Sequence, residues 1–469
     1  PNIPEFTIAY YAGLYRGCVL VTLNTLLSAD EVAFQLSNSE SRGLVIDEEF
    51  LAAGLEGFSR TESCQQLYVT GMAEDSPDGA TIFEDLLQGP DHSDLVQTMP
   101  DETAVIIYTS GTTGHPKGAE LTHFNLYRNA QYVSERAFSD WPDRIQLMGP
   151  GQVALSALPL YHIFGQTNVQ NAMLLGGATF SNVRRFSPAE VIDTIARDRV
   201  TFFPGVPTMY FSVLHAPEAE SADMSSLQFC VSGGAAMPVE VKRAFEGRFD
   251  VRIQEGYGLT ESTANIVILS PEDHDLTASG DRLTRLQSCG RGHSGHELRV
   301  LDDLGNELPP GEIGEICVRS ESVMEGYWKD PDNTCKAIRS GWLHSGDMGY
   351  MDQDRYIYIV GRRNDMIKSG GEKIYPQEIE ELLFGHSAVL EAAVCGVPHP
   401  DWGEVPRAYV ALRPGSSLSA EEILAYCASA LPGFKCPKDV VFLSELPKTA
   451  SGKITRAALQ VGPLGPVPE

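Results

Sequence analysis

Hydrophobic and polar positions change period repeatedly along the first third of the chain, from helical spacing to strand spacing and back. Ser28 and Glu31 have the spacing of a capping box and predict the start of a helix. Short apolar strands separated by helices are typical of parallel sheet covered by helices. The elements predicted are helices at residues 4–15 and 82–87, a helix that opens after Ser28, and strands at residues 18–23, 43–46, 66–70 and 104–107.

The middle third repeats this pattern and adds glycine-rich turns directly after two predicted strands. The strand at residues 227–231 is followed by residues 232–235, and the strand at 251–254 by residues 256–258. Such turns, at the carboxyl ends of parallel strands, are where ligands bind in open α/β sheets. A further capping box is predicted at Ser187, with proline at the first helical position. The other predicted elements are helices at residues 188–198, 207–215 and 238–249 and a strand at 200–203.

From residue 297 the pattern changes to short strands around glycine turns, which is typical of a small antiparallel or barrel-like subdomain. After Arg363 helices and strands mix over about a hundred residues, the size of one α+β domain. We therefore expect an α/β protein. Its parts would be a large N-terminal domain of parallel α/β subdomains plus a small β-barrel-like subdomain (residues 1–363), a mobile α+β C-terminal domain (residues 364–460) and a flexible tail (residues 461–469).

The composition narrows the possible partners. The chain of 469 residues has a formal net charge of −28, which argues against nucleic acid and anionic membrane surfaces as partners. Its nine cysteines form no CxxC pair, so neither a zinc site nor a disulfide framework is indicated. The longest stretch without Asp, Glu, Lys or Arg, residues 145–183, is interrupted too often by Gly, Pro, Gln and Asn for a membrane span. We expect a cytoplasmic protein without integral membrane contact.

The sequence begins with Pro1 rather than methionine and enters a helix-like segment almost at once. We expect that an N-terminal piece with at least one sheet strand precedes it. Loss of that strand would expose an unpaired edge, so a chain that begins at Pro1 is expected to be less stable than a longer one.

The densest candidate for anion binding follows the strand at residues 104–107. Residues 108–118 read Tyr-Thr-Ser-Gly-Thr-Thr-Gly-His-Pro-Lys-Gly. A glycine-rich backbone lets several amides converge on an anion, and Lys117 adds a positive charge. Glycine follows the lysine, so this is not the nucleoside-triphosphate loop in which Ser or Thr follows it. Taken alone, the stretch fits an ordinary Gly/Ser/Thr-rich turn equally well.

Five further stretches carry similarly dense chemistry. They are Leu-Tyr-His-Ile-Phe-Gly at 160–165, Gly-Tyr-Gly-Leu-Thr-Glu-Ser at 256–262, His-Ser-Gly-Asp at 344–347, Gly-Arg-Arg-Asn-Asp-Met-Ile-Lys-Ser-Gly-Gly-Glu at 361–372, and Pro-Lys-Thr-Ala-Ser-Gly-Lys-Ile at 447–454. With residues 108–118, and in this order, they resemble the AMP-forming acyl-CoA synthetase family. That family shares its fold with luciferases and peptide-synthetase adenylation domains, and the resemblance covers nearly the whole chain.

The resemblance implies a site for ATP and Mg²⁺. Thr260 and Glu261 would contact the nucleotide phosphate and Mg²⁺, a hard cation that needs only one or two carboxylates beside phosphate oxygens. Asp347 would accept the ribose hydroxyls, and Arg362 would be a second nucleotide contact. Lys453 would reach the α-phosphate, where a compact cation offsets the charge. The residues implied for the β and γ phosphates are Thr109, Ser110, Gly111, Thr112, Thr113, Gly114 and Lys117, and those implied for adenine are Gly233, Gly234, Ala235, Gly256, Tyr257 and Gly258.

The implied reaction has two halves. A carboxylate attacks the α-phosphorus of MgATP to give an acyl-adenylate and pyrophosphate, and the thiol of CoA then displaces AMP. The family swings its C-terminal domain between these steps. Asn364 occupies the hinge position, where the family usually carries Asp or Lys, and asparagine tolerates the unusual backbone angles of a hinge. The residues implied for CoA are Lys368, Ser369, Gly370 and Gly371.

The acid to be activated is less well specified. Residues 160–165 contain no acidic side chain to pair with an amino group, so an amino-acid substrate is disfavoured. His162 is either part of the acyl pocket, with a catalytic or gating role, or a hydrogen-bonded core histidine. The uncharged wall predicted at residues 153–179 suits an apolar tail. It favours a medium- or long-chain fatty acid over a coumarate-like aryl acid.

Other functions stay open at this point. One is an acyl-adenylating enzyme that loads an acyl carrier protein instead of CoA. Another is a non-catalytic protein that only binds ATP, against which the presence of Glu261, Asp347 and Lys453 weighs. A luciferase-like oxygenase is more remote. A homodimer is compatible with the sequence.

Overall fold

The computed structural model describes residues 1–71, 77–89, 95–109, 116–135, 149–270, 273, 285–293, 295–448 and 454–460. Within these residues five sheets carry the fold, four of them before Arg363 and one after it. None of the helices in these residues is both long and apolar enough to cross a membrane.

A three-stranded parallel sheet near the N-terminus packs against helices. Leu44 pairs with Leu67 in the sheet register, and both side chains are buried. Ser28 and Glu31 exchange side-chain and backbone hydrogen bonds, so the predicted capping box is confirmed. The strands are Gly43–Asp47, Gln66–Thr70 and Thr81–Ile82, and the helices are Ala29–Asn38, Leu51–Ser59 and Phe83–Leu86.

A four-stranded sheet holds the predicted phosphate loop between two antiparallel strands. Thr109 pairs with Lys117 at the ends of these strands. The second strand is missing from the sequence prediction because Gly118 and Glu120 interrupt its apolar pattern. The hydroxyl of Thr122 accepts the Asn125 N–H at 3.1 Å and caps the following helix, as predicted. The strands are Leu20–Val21, Thr103–Thr109, Lys117–Thr122 and Gly326–Tyr327, and the helices are Pro4–Tyr15 and His123–Glu135.

The largest sheet has seven strands. Five neighbouring strands are parallel, as predicted, whereas the last two at one edge are antiparallel. The capping box predicted at Ser187 is wrong, because the Ser187 side chain makes no cap hydrogen bond. The strands in spatial order are Arg291–Gly292, Ala264–Ile268, Ile253–Leu259, Phe229–Ser232, Phe202–Gly205, Val153–Ser156 and Thr179–Asn182. The helices are Phe164–Asn171 (a π-helix), Ala172–Gly176, Pro188–Asp198, Pro207–Leu214 and Val239–Phe249.

The predicted barrel-like subdomain contains a five-stranded antiparallel sheet. Its long strand Trp342–Met351 is not predicted, because the polar sequence around Gly346 interrupts the alternation of apolar residues. Asp347 on this strand pairs with Arg362 on the next one in the sheet register. The strands are His296–Leu301, Gly314–Ser320, Trp342–Met351, Ile338–Arg339 and Ile357–Arg362, and the nearby helix is Pro331–Ala337.

The residues from Ile367 onward form a separate sheet with a hydrophobic core of their own. Ser419 and Glu422 form a capping box at the start of the helix Ala420–Ala430. A contact joins the two parts of the chain, since Arg413 Nη1 donates to His215 Nε2 at 3.2 Å. The boundary at residue 364 stays a prediction. The strands are Ile367–Ser369, Glu372–Ile374, Val389–His399, Gly403–Leu412 and Asp439–Phe442, and the helices are Pro376–Phe384, Ala420–Ala430 and Arg456–Gln460.

Candidate active site

The two glycine-rich stretches of the seven-stranded sheet lie side by side, because Ser232 pairs with Glu255 on neighbouring parallel strands. The turn predicted at residues 256–258 is wrong, because these residues continue the strand Ile253–Leu259 and pair with the antiparallel strand Ala264–Ile268. Gly234, in the turn after Ser232, has φ +80°, a conformation that favours glycine. Residues 234–236 are exposed and would form one rim of the predicted adenine slot. The structure therefore brings together the two stretches predicted to hold adenine.

Close packing requires glycine at position 258 and leaves little space for a side chain at position 233. A Cβ atom at Gly258 would lie 1.3 Å from the carbonyl oxygen of Ala264. A Cβ atom at Gly233 would lie 3.2 Å from Cε1 of Phe164 and 3.3 Å from the carbonyl oxygen of Gly256. The half-buried Phe164 ring therefore lies close to Gly233, where the stretch at residues 160–165 meets the predicted adenine site.

A buried carboxylate is held from both sides next to this slot. The Tyr257 hydroxyl donates to Asp347 Oδ2 at 2.6 Å, and Arg362 Nε lies 2.7 Å from Asp347 Oδ1. The Asp347 side chain is only 6% exposed. Burial, and then the Asp347 carboxylate, raise the pKa of Tyr257 well above its usual value, so the hydroxyl stays a donor. The predicted adenine, ribose and hinge-side residues thus form one hydrogen-bonded unit.

A second pair of contacts connects Glu261, the predicted metal ligand, to Lys117 at the end of the predicted phosphate loop. The Tyr327 hydroxyl donates to Glu261 Oε1 at 2.9 Å, and Lys117 Nζ lies 5.3 Å from the centroid of the Tyr327 ring. Thr260 is buried at the start of the short helix Thr260–Ser262. The carboxylate of Glu261 is the kind of oxygen ligand that suits Mg²⁺, so this position fits the implied metal.

The other predicted phosphate residues, Ser110, Gly111, Thr112, Thr113 and Gly114, lie outside the described residues, as does Lys453. At the described ends of the phosphate loop, the hydroxyl of Thr109 donates to the Lys117 carbonyl at 3.5 Å. Lys448 and Ile454, which flank the predicted catalytic lysine, form an antiparallel bridge.

A polar cluster supports the turn that carries Asp347. Glu315 Oε1 accepts the Gly346 N–H at 3.1 Å, and Glu315 Oε2 lies 2.8 Å from His344 Nδ1. Glu315, His344 and Cys317 are residue types that can bind a metal ion, and their ligand atoms lie within 4.8 Å of one another. However, guanidinium nitrogens of Arg339 and Arg363 lie 3.3 Å from Glu315 Oε2, and burial raises the pKa of the Cys317 thiol to about 12. The cluster thus supports the segment at Gly346 and Asp347 through charged hydrogen bonds, and His344 lies in it as a structural side chain.

The wall predicted to be uncharged contains buried polar side chains in its middle. Glutamine and asparagine side chains of the segment Phe164–Asn171 bond to the helix Pro4–Tyr15. Thr7 donates to Gln170 Oε1 at 2.7 Å and Tyr11 to Asn171 Oδ1 at 2.9 Å. The segment carries no charge, as predicted, but it is not apolar, so its suitability for an apolar tail stays a prediction. His162 Nδ1 accepts the Phe164 N–H at 3.3 Å.

The loop predicted to line the thiol channel is built around a tryptophan. The Gly370 N–H donates to the Trp402 carbonyl at 2.8 Å, and a Cβ atom at Gly370 would lie 2.4 Å from Trp402 Cε3. Gly370 and Gly371 have φ of +58° and +92°. The Lys368 N–H donates to Glu404 Oε2 at 3.0 Å, and Ser369 is buried. Asn364 lies in the short helix Arg363–Asp365 just before this loop.

Comparison with known proteins identifies the fold and the family. The model of the AMP-binding enzyme family matches residues 1–328, and that of its C-terminal domain matches residues 378–453. The chain belongs to the AMP-binding enzyme family. A long-chain-fatty-acid–CoA ligase of Bacillus subtilis (strain 168) is 34% identical over 484 residues, which cover 98% of this chain and 84% of the relative. A feruloyl-CoA synthase of an Amycolatopsis species is 35% identical, covering 98% of this chain and 87% of the relative.

Solved structures of the family agree with the architecture described above. An anthranilate CoA ligase in complex with anthranoyl-AMP has a TM-score of 0.87 at 29% identity, covering 98% of this chain and 85% of that one. The predicted α/β fold with a large N-terminal and a small C-terminal domain is confirmed. The predicted enzyme class, an AMP-forming acid–thiol ligase, is confirmed as well.

Sequence reasoning missed three side chains that organise this site. Tyr327 contacts Glu261 from a strand of two residues with no motif of its own. Glu315 supports the Asp347 turn from the middle of a strand. Glu255 directly precedes Gly256 in the strand Ile253–Leu259, where a charged residue among buried positions could have drawn attention.

Proposed function

We propose that this AMP-binding enzyme activates a medium- or long-chain fatty acid with ATP and transfers the acyl group to CoA. The observation that carries the proposal is the unit of Tyr257, Asp347 and Arg362, which places a buried carboxylate beside a slot lined by small residues. Such a carboxylate can accept both hydroxyls of a ribose while the slot takes the flat base.

In the first half-reaction a substrate carboxylate oxygen attacks the α-phosphorus, and the bond to pyrophosphate breaks. Lys453 would offset the charge on the α-phosphate, and Lys117 with residues 109–114 would hold the outer phosphates. When bound at Glu261, Mg²⁺ would neutralise phosphate charge. Tyr327 would orient the Glu261 carboxylate through its 2.9 Å hydrogen bond.

In the second half-reaction the CoA sulfur attacks the acyl carbonyl, the thiol proton is lost, and the bond to AMP breaks. The loop with Lys368, Ser369, Gly370 and Gly371 would then face the adenylate. This requires a swing of the C-terminal domain about Asn364. Gly370 packs against the Trp402 ring, and the narrow pantetheine arm would pass beside this pair. A cytoplasmic location stays a prediction.

The surroundings of Phe164 and Gly233 support an apolar acid as substrate. The Phe164 ring contacts the backbone of Gly233 and packs against the large core of the seven-stranded sheet. The neighbouring strand Phe202–Gly205 is fully buried and carries no charge. A tail that entered between these groups would lose contact with water, so an uncharged aliphatic chain is favoured over a dicarboxylate.

A specific observation favours an aryl acid as the second candidate. Thr167 Oγ1 and Asn168 Oδ1 are buried and have no hydrogen-bond partner in the part of the chain that the structure describes. An aromatic acid with a ring hydroxyl could satisfy such an atom, whereas an aliphatic tail could not. One of the relatives named above is a feruloyl-CoA synthase.

The test is CoA-dependent AMP release with a panel of aliphatic acids, ferulate and coumarate. With a fatty acid as substrate, kcat/KM rises with chain length until the pocket is full, by roughly 0.8 kcal/mol per methylene. Activity confined to ring acids, with none on octanoate or longer chains, would overturn the fatty-acid assignment. Product formation with a phosphopantetheinylated carrier protein but not with CoA would overturn the choice of acceptor.

The variant Thr167→Val separates the two acids further. It should leave the fatty-acid rate unchanged, because the hydroxyl has no role toward an aliphatic tail. If ferulate is a substrate that uses this hydroxyl, its kcat/KM should fall selectively. Thr194→Val, another buried threonine of the same domain, is the matched control.

A further inference from the structure

A buried lysine lies on the helix that follows residues 233–236 of the predicted adenine site. Lys242, on the helix Val239–Phe249, is 1% exposed, and its Nζ has no hydrogen-bond partner among the residues that the structure describes. An ammonium group is costly to bury in this way. Burial lowers the pKa of Lys242, and the carboxylates of Glu255 and Glu246 oppose this shift. Lys242 is thus the buried cation that balances Glu255.

Glu255 connects the two glycine-rich stretches that are predicted to hold adenine. It directly precedes Gly256 on one strand, and its Oε1 accepts the backbone N–H of Met237, at the end of the other turn, at 3.1 Å. Glu255 is only 7% exposed. A carboxylate from one strand therefore fixes the loop that follows the neighbouring strand.

Other contacts also hold the exposed rim, residues 234–236. Upstream of the rim, the Gly233 N–H donates to the Gly205 carbonyl at 3.2 Å. Downstream, the Met237 N–H donates to Glu255, and the Ser232 hydroxyl lies 3.7 Å from Met237 Sδ. The Glu255 bond thus holds one end of the rim through a titratable group.

We propose that Glu255, balanced by Lys242, is a positioning residue for the adenine slot, which holds adenine tightly when Glu255 is ionised and loosens when Glu255 is protonated. An ionised carboxylate is the stronger acceptor for the Met237 N–H, so the rim is fixed more firmly in that state. This inference rests on the proposed function in one respect, since it takes the slot as the adenine site.

Several titratable groups face Glu255. Lys242 and Glu246 come from the helix behind the slot, Cys289 from the antiparallel side, and Glu381 from the helix Pro376–Phe384 of the C-terminal domain. Burial raises the pKa of Glu255 to about 7, Lys242 counteracts this shift, and Glu381 adds to it. Burial raises the pKa of Cys289 well above its usual value, so this thiol stays neutral.

The sign of the effect follows from these groups. Protonation of Glu255 as the pH falls through about 7 weakens the bond to Met237, so adenine affinity should rise with pH across this range. Glu381 belongs to the domain that is proposed to swing. Its departure would lower the pKa of Glu255 and tighten the slot, which links the nucleotide site to the position of the second domain.

The test is calorimetric titration with adenosine, which carries no group that titrates between about pH 6 and about pH 8. The wild-type dissociation constant should fall on the order of fivefold over this range, the difference between a neutral and a charge-assisted hydrogen bond. Glu255→Gln keeps the acceptor oxygen and should bind with no such dependence. Lys242→Met removes the balancing cation and should move the midpoint to higher pH. Asp47→Asn, a buried carboxylate in the first sheet, should behave as the wild type.

A purely structural role would change melting temperature but not the shape of the pH profile. If Glu255→Gln binds adenosine with the wild-type pH dependence, the inference is wrong while the nucleotide site stands. If the wild type does not bind adenosine at all, the proposed adenine slot is wrong and the inference fails with it. Glu381→Gln should lower the midpoint, and an unchanged midpoint would refute the link to the second domain.

Discussion

The two glycine-rich regions of this protein differ in their surroundings. Gly233 and Gly258 belong to a large sheet, where a Cβ atom at Gly258 would overlap the Ala264 carbonyl and a Cβ atom at Gly233 would meet Phe164 and Gly256 in tight contacts. The loop at Gly370 and Gly371 lies on a separate sheet, and a Cβ atom at Gly371 would meet nothing within 4 Å. The half-exposed Trp402 is the neighbour of Gly370.

The difference indicates how the two half-reactions are divided. The proposed nucleotide side is fixed by sheet register and by the buried Asp347, so it is preorganised before ATP arrives. The proposed thiol side is carried on a second sheet, which the proposed swing would move as one body. Glycine serves close packing at Gly258 and Gly370, and backbone conformation at Gly371.

The largest expected effect separates the two regions by chemistry. Lys453→Ala should slow adenylate formation on the order of 10²–10³, because it removes a preorganised cation from the α-phosphate. The same variant, supplied with pre-formed acyl-adenylate and CoA, should make thioester at nearly the normal rate. Pyrophosphate exchange and single-turnover thioester formation measure the two halves.

Gly370→Leu should show the reverse pattern. Its side chain would meet Trp402 and block the thiol channel, while pyrophosphate exchange continues. Gly371→Ala is the control, since its Cβ has space. Equal loss of both halves in folded Lys453→Ala, or a normal CoA rate in Gly370→Leu, would contradict this division.

The next effect compares the two kinds of glycine by stability. Gly258→Ala should lower the free energy of unfolding by about 3 kcal/mol or more, because its Cβ would overlap the Ala264 carbonyl. Gly371→Ala should cost only about 1–2 kcal/mol, the strain of a positive φ. Denaturant unfolding of both variants checks this, and similar losses would show that the packing difference has no energetic weight.

The sequence was informative where chemistry is local. Repeating apolar patterns predicted the parallel strands, and the glycine turn after Ser232 was placed correctly, whereas residues 256–258 continue a strand instead of turning. It was less informative where a contact joins distant segments. The pairing of Tyr327 with Glu261 spans 66 residues, and the bonds of the helix Pro4–Tyr15 to Gln170 and Asn171 span still more. No periodicity records such pairings.

The buried polar residues of the segment Phe164–Asn171 show a second limit of prediction from sequence. Absence of charge was read as apolar character, but an uncharged amide can be buried when another segment satisfies it. Gln166 is fully buried because Tyr10 and the Leu160 carbonyl lie within hydrogen-bond reach. The sequence contains both partners without indicating that they meet.

A smaller effect is expected at the ribose side of the preorganised region. Arg362→Gln leaves the buried Asp347 without its charged partner and should raise the KM for ATP about tenfold, the loss of one charge-assisted hydrogen bond. Arg319→Gln, in an exposed pair of the same sheet, is the control and should change little. Steady-state kinetics with varied ATP measure both. If the two variants behave alike, the Asp347 unit is not part of the nucleotide site.

The smallest expected effect concerns Tyr327. Tyr327→Phe removes only the hydroxyl that orients Glu261, so the rate of adenylate formation should fall about fivefold, the value of one hydrogen bond. The Mg²⁺ concentration needed for half-maximal rate should rise in parallel, because a less fixed carboxylate is a poorer ligand. Burial, and then Glu261, raise the pKa of Tyr327 far above neutrality, so the loss should be constant from about pH 6 to about pH 9. Tyr350→Phe, stacked on Tyr358 away from the site, is the matched control. A rate loss with unchanged Mg²⁺ dependence would place the role of Tyr327 in packing rather than in orientation of the metal ligand.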